Sequence, residues 1–335
     1  MLVRDVSVRH AVVLVACALV LVAAPTPGAA IPHGEQTEAH PYVGVVALVG
    51  EIELGTLEEF IGPTGLDLPP DTPVYPNILG FSGVLVDEHV LLTAAHGTGA
   101  DLEALLGPTL FAAFESFRAF VTFDAHVPGG PGQLLLTGPA TPGWFEGEPV
   151  AHEDFDDFAG FPATFDIGAV LFEEGLDLDA LGIHGDDLPL IADVGYLDRA
   201  LTGGNRGQLP LTVVGYGAHD SRIGGVVFGP DGAPSLDLQL DFDDHRAVGE
   251  VRLVNLQSAL AGGHNLQHSG NPGRWSGGTC YGDSGGPVLH GDTLVGLTSF
   301  GTGGVLCRGN TSFAYRVDIR AAHDFLEAIG APLPE

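Results

Sequence analysis

Apolar residues come along this chain in short runs, each closed by Gly, Pro or Asp. Examples are YVGVVALVG (42–50), FSGVLVDEHVLLTAA (81–95), RAFVTFDAH (118–126), DIGAVLFEE (166–174), QLPLTVVGYG (208–217), VVFG (226–229), EVRLVNLQ (250–257) and DTLVGLTSFG (292–301). Many are rich in Val, Leu, Phe and Thr and are bounded by turn residues, which predicts strands. So many short strands predict an all-β sandwich or barrel architecture. One segment has a helical period: in RAAHDFLEAIG (320–330), Ala321, Phe325, Leu326 and Ile329 share a face and Gly330 is placed to stop the helix. Three stretches rich in turn chemistry, 51–77, 127–149 and 218–249, are predicted to be insertions or surface loops. A Gly- and Asp-rich stretch near 180–207 is predicted to link two β-rich halves, and no repeat of fixed period is visible.

The first thirty residues stand apart. Arg4 and Arg9 precede AVVLVACALVLVAA (11–24), and small residues follow at Gly28 and Ala30. This order of charge, apolar run and small residues is that of a secretory signal peptide. The run is short for a membrane span, and too few apolar residues precede Cys17 for LVAC (14–17) to serve as a lipoprotein box. The predicted division is a signal peptide at 1–30 and two β-rich halves, 31–190 and 191–335, the second carrying the final helix. A secreted, extracellular chain is expected, with no stable membrane association once the signal is cut.

Charge narrows the partners. Setting aside Arg4, Arg9 and Asp5 takes the 12 basic and 43 acidic residues to 10 and 42, a balance of −32 with no lysine. Such a surface repels nucleic acid and anionic membranes. The acidic run HEDFDDF (152–158) does not have the spacing of an EF-hand loop and is expected to be a solvated loop. No metal or cofactor is expected. Beyond residue 30 two cysteines remain, Cys280 and Cys307, and in a secreted protein an isolated pair is most simply one disulfide.

The densest signal is GGTCYGDSGGPVL (277–289), where glycines surround Ser284. A serine hydroxyl is a weak nucleophile and needs a histidine base that a carboxylate orients. The glycines let Gly282 and Ser284 aim two backbone N–H groups at one point, as an oxyanion requires. Among the 14 histidines, His96 is distinctive because it follows an apolar strand and two alanines. Asp166 is distinctive because it opens the apolar run DIGAVLF.

TAAH ending at His96, DIGAVLF starting at Asp166 and GDSGGP around Ser284, in that order, resemble the chymotrypsin/trypsin-like serine endopeptidases. VVGYG (213–217), TSFG (298–301) and IPHGEQTEAHPYVGVV (31–46) resemble further segments of that family, so the likeness runs over essentially the whole chain from Ile31. The resemblance implies two six-stranded antiparallel β-barrels with the site between them. It implies that His96 is general base and acid, that Asp166 orients it, and that Ser284 attacks a peptide carbonyl. Asp283 would receive the α-ammonium of Ile31, and Ser299, Phe300 and Gly301 would pair with a polypeptide substrate. Gly278 would lie at the base of the primary pocket and Phe313 on its wall, a neutral pocket suited to small or medium apolar residues. A monomer is expected.

Two departures matter. Gly97 stands where the family has a cysteine, and its partner position near Phe81 lacks one too, so packing alone must hold the histidine loop. IPHG replaces the family's Ile-Val-Gly-Gly. Two other readings make different demands on the sequence. A silent binding protein of the same fold usually lacks a triad residue, and all three are here. An α/β-hydrolase esterase would use the order Ser, acid, His and needs alternating strands and helices.

Overall fold

The computed structural model describes Ile31 and residues 34–334, apart from 64–66, 100–101, 129–141, 202–208, 229–233, 243, 270–277, 303–306 and 308–310. The expected signal peptide and Pro32 lie outside these residues, as does much of the 127–149 stretch.

The chain starts with strands β1 (Glu35–Gln36), β2 (Val43–Glu53), β3 (Pro73–Val74), β4 (Asn77–Asp87) and β5 (Val90–Thr93). There follow β6 (Ser116–Thr122), β7 (Phe145–Ala151), β8 (Gly168–Leu171) and β9 (Leu190–Ile191). Next come β10 (Pro210–Gly215), β11 (Ala218–Phe228), β12 (Pro234–Phe242) and β13 (Ala247–Asn255). The last are β14 (Asn265–Ser269), β15 (Pro287–His290), β16 (Thr293–Gly301) and β17 (Thr311–Arg316).

Two closed antiparallel barrels of six strands result. The first runs β2-β4-β5-β8-β7-β6 and closes by β6 pairing back on β2. The second runs β13-β10-β15-β16-β17-β14 and closes by β14 on β13. Closure is what lets short strands bury their backbone groups without leaving long open edges. Short strands decorate the barrels: β3 lies on β2, β1 on β13, and β9 runs parallel to β16. One continuous apolar cluster fills both barrels, with Val45, Leu91, Val121 and Val170 in the first and Val213, Val251, Leu266 and Leu297 in the second.

The predicted C-terminal helix is present at Arg320–Ala328, with Phe325 and Leu326 buried. Four expectations need correction. The helix is not alone: short helices also occur at Leu54–Ile61, Leu102–Leu106, Pro108–Phe111 and Tyr196–Ala200. The 51–77 stretch is no surface loop. It finishes β2, forms the first of those helices and closes a small separate core of Ile52, Leu54, Leu57, Val74, Leu106 and Leu110. The 127–149 stretch contains the start of β7, a barrel strand. The 218–249 stretch is an antiparallel ribbon, β11 on β12, followed by the first turn of ladder in β13. No described helix is long and apolar enough to cross a membrane.

Candidate active site at the seam between the barrels

His96 sits in a single 3-10 turn, Ala95–Gly97, at the end of β5. The turn lies close to β4: a side chain at Gly97 would come within 2.8 Å of the Phe81 ring. Phe81 thus packs on the histidine turn.

Asp166 stands just before β8 and is fully buried. Its Oδ2 is 2.9 Å from His96 Nδ1, and its Oδ1 accepts the His96 backbone N–H at 3.0 Å. The same carboxylate accepts the hydroxyl of Ser299, from β16 of the other barrel. Burial opposes the charge on Asp166, but the His96 charge and these hydrogen bonds outweigh it and hold its pKa below the ordinary value. For His96 burial again opposes the charge. Asp166, the hydrogen bond to it and Asp157 together prevail, so the imidazole pKa is raised. The ring is fixed through Nδ1, which leaves Nε2 on its outer edge, and the side chain is 28% exposed. A histidine held like this is oriented to take up a proton on one nitrogen while its partner stabilises the charge.

Ser284 approaches from the second barrel, in the turn between Cys280 and β15. Its carbonyl accepts the backbone N–H of Ser82 on β4 at 2.9 Å, and the Ser82 hydroxyl donates to the Gly282 carbonyl at 2.9 Å. The next residue explains the glycine there. Gly285 has φ +77°, and a side chain would stand 2.1 Å from Thr93 Oγ1 and 2.6 Å from the Ala94 nitrogen. That closeness seats the serine turn on the strand end that leads into His96. Among the described residues, neither the Gly282 nor the Ser284 backbone N–H donates to another backbone group, whereas those of Asp283, Gly285 and Gly286 do.

Asp283 points inward and is fully buried. Its carboxylate accepts N–H bonds from Gly217 and Cys280 at 2.8 and 2.9 Å, and burial still raises its pKa to about 8. Ile31 is also fully buried, in the main core, with its carbonyl accepting the Gly34 N–H.

The residues expected to face a substrate fall into two groups. Pairing of β15 with β16 ends at Leu297, and Thr298 bonds to Gly285 and Gly286. Ser299, Phe300 and Gly301 therefore continue past β15 with one edge open among the described residues. Gly301 is exposed and pairs with Ser312 on the other side. Gly278 is buried beside Thr279. Phe313 is buried and stacks on Phe300, ring centroids 4.6 Å apart and planes 5° from parallel. Alternation along β17 puts Ser312 and Ala314 on the opposite face from Phe313. The Cys280–Cys307 disulfide is present, with 5.2 Å between Cα atoms, and ties the serine turn to the segment before β17.

Sequence reasoning missed several residues that build this seam. Ser82 gave only a weak sign, a lone polar residue in the apolar run FSGVLV. Arg246 and Tyr216 gave none. Arg246 is 2% exposed and donates to the Val43 and Phe123 carbonyls of the first barrel and to the Tyr216 hydroxyl, which in turn donates to the Asp124 carbonyl. Among the described residues no group of three or more His, Cys, Asp or Glu is placed to hold a metal ion.

Residues 260–324 match the family model described as Trypsin, a segment that includes the serine turn, β15, β16 and β17. The fold matches the solved structure of HL collagenase with a TM-score of 0.51 and 14% identity, over 92% of this chain and 100% of that one. No curated protein matches the chain.

Proposed function

We propose that this chain, which has the trypsin-like two-barrel fold and a segment matching the Trypsin family model, is a secreted endopeptidase acting on polypeptides through an acyl-enzyme. In this reading Ser284 attacks the scissile carbonyl as His96 takes its proton. The Gly282 and Ser284 N–H groups receive the developing oxyanion, and His96 then protonates the leaving amine. Asp166, kept charged, stabilises the imidazolium formed in between. Water repeats the cycle on the ester to free the enzyme. Substrate backbone adds as a strand to the open edge at Ser299–Gly301. The uncharged Gly278 leaves the primary pocket without a partner for Arg or Lys, which favours apolar residues before the cut. Removal of residues 1–30 would free the Ile31 amine to pair with Asp283.

One observation carries the reading. A buried carboxylate from the first barrel orients His96 through Nδ1 and is itself held by a hydroxyl from the second, at the seam where the Ser284 turn is anchored. The test is labelling of the secreted protein with a fluorophosphonate, followed by mapping of the modified residue. Labelling at Ser284, lost in His96→Ala, is the expected result. Peptide hydrolysis should fall by several orders of magnitude in Ser284→Ala. Normal hydrolysis by Ser284→Ala would end the proposal.

A further inference from the structure

Arg246 stands just before β13, on the second barrel, and is 2% exposed. Among the described residues its hydrogen-bond partners are neutral oxygens and no carboxylate. One terminal guanidinium nitrogen donates to the Val43 carbonyl at 3.0 Å, the Phe123 carbonyl at 3.3 Å and the Tyr216 hydroxyl at 3.2 Å. The other donates to the Glu38 carbonyl at 3.2 Å. Val43 opens β2 and Phe123 follows β6, so the first barrel supplies two of these oxygens. The backbones also cross the seam here. The Arg246 N–H donates to the Ala125 carbonyl at 2.7 Å, and the Val127 N–H to the Asp244 carbonyl at 2.6 Å.

Tyr216 carries this contact to the serine turn. It follows β10 and is fully buried. Its hydroxyl end accepts from Arg246 and donates to the Asp124 carbonyl at 2.8 Å. Its backbone N–H donates to Ser82 Oγ at 3.1 Å, and the next N–H, of Gly217, donates to the Asp283 carboxylate at 2.8 Å. Ser82 in turn holds the Gly282 and Ser284 carbonyls. One buried tyrosine therefore spans from the guanidinium to the turn that carries Ser284.

We propose that Arg246, acting through Tyr216, is a positioning residue that fixes the registry of the two barrels and with it the reach between His96 and Ser284. The proposal rests on the peptidase reading and deepens it. A desolvated cation is costly unless its donors are satisfied. This guanidinium is satisfied only where oxygens of the first barrel and of Tyr216 converge, so sliding one barrel on the other strands the charge. An apolar side chain of the same volume would tolerate such a slide. His96 and Asp166 belong to the first barrel and Ser284 to the second. A base must lie within hydrogen-bond reach of the proton it takes, and a misplacement of about 1 Å costs about a hundredfold in rate.

The test compares Arg246→Met and Tyr216→Phe with Leu57→Ala, a change in the small separate core away from the seam. Each protein is measured for urea stability, for kcat and KM on one peptide, and for its rate of fluorophosphonate labelling at Ser284. Arg246→Met should lower kcat and the labelling rate together, by about tenfold to a hundredfold, with KM within about twofold of wild type. Tyr216→Phe should lose about tenfold in both rates. The double variant should be no slower than Arg246→Met, because the two residues act through one contact. Leu57→Ala should lose stability and keep its kcat. Wild-type kcat in folded Arg246→Met overturns the proposal, as does a kcat that falls in Leu57→Ala in step with stability. If Arg246→Met does not fold, wild-type kcat and labelling in Tyr216→Phe overturn it alone. Absence of Ser284-dependent hydrolysis in the unsubstituted protein overturns the peptidase reading itself.

Discussion

Ser82 of the first barrel holds the Ser284 turn of the second by two bonds: its backbone N–H donates to the Ser284 carbonyl and its hydroxyl to the Gly282 carbonyl, each at 2.9 Å. The same hydroxyl accepts the Tyr216 N–H at 3.1 Å. In Ser82→Ala a buried N–H, that of Tyr216, and a part-buried carbonyl, that of Gly282, lose their partner. Stability should drop by about 2–4 kcal/mol, as expected for stranded polar groups. The Ser284 turn should loosen, lowering kcat more than it raises KM. Urea unfolding followed alongside peptide kinetics would check both, and unchanged kcat would show that Ser82 does not position the turn.

Ser299 is predicted to act through Asp166. Its removal in Ser299→Ala takes a charge-assisted hydrogen bond from a buried carboxylate. The expected loss in kcat/KM is roughly tenfold to a hundredfold. Because the open edge at Ser299–Gly301 is made by backbone, the loss should fall on kcat. A loss confined to KM would assign Ser299 to substrate binding alone.

The pH profile follows from His96. In the proposed mechanism it must be neutral to accept the Ser284 proton, and its pKa is raised although burial opposes the charge. Activity should therefore be lost on the acid side at a pH above the ordinary histidine value of about 6.5. Asp157 contributes to the raised value, so Asp157→Asn should shift that limb toward lower pH. An unmoved limb would remove Asp157 from the electrostatics of the site.

Asp283 gives a prediction of opposite sign for chains still joined at Ala30–Ile31. Its folded pKa, about 8, lies above the ordinary carboxylate value. Between about pH 4 and pH 8 the folded chain holds a proton that the unfolded chain releases, so stability falls as pH rises, by up to about 1.4 kcal/mol per unit. In chains beginning at Ile31 the free amine would stabilise the carboxylate and flatten this slope. Urea midpoints at about pH 5 and about pH 8 for the two forms provide the comparison. Equal slopes would refute the ion pair.

The Cys280–Cys307 bridge spans 27 residues, so its removal by paired Cys→Ser substitution should cost roughly 3–4 kcal/mol. Substrate affinity should weaken as well, because the bridge joins the serine turn to the segment before β17. Intact affinity at reduced stability would make the bridge purely structural.

The parts of this molecule legible in its sequence were those where one residue type can do the work. Apolar runs rich in Val, Leu, Phe and Thr and closed by turn residues marked most of the barrel strands, and the glycines around Ser284 marked a turn too tight for side chains. Asp166 stood out because an acid seldom opens a buried strand. What stayed hidden depends on contacts between distant segments. Ser82 and Arg246 look like ordinary polar residues until folding brings β4 to the serine turn and β13 to the Val43 carbonyl. The acidic run 152–158 suggests a solvated loop in a chain so rich in carboxylates; the left-handed backbone at Asp157 and Phe158, which brings the Phe158 ring within 5.8 Å of the His96 ring, leaves no mark in the sequence. The helix at Leu54–Ile61 was lost among prolines that follow it.

The pairing of β1 with β13, Glu35 against Val248 and Gln36 against Ala247, fixes an order of events during synthesis. The first barrel draws its six strands from Val43–Leu171 and has all of them once that segment has emerged. The leading residues must wait for a partner made roughly two hundred residues later, a loop whose closure is slow. A chain cut short before Ala247 has nowhere to seat Glu35 and Gln36, whatever else has folded. The seating of its front end thus reports that the ribosome has delivered the wall it rests on, which makes synthesis through β13 a precondition for a settled N-terminus.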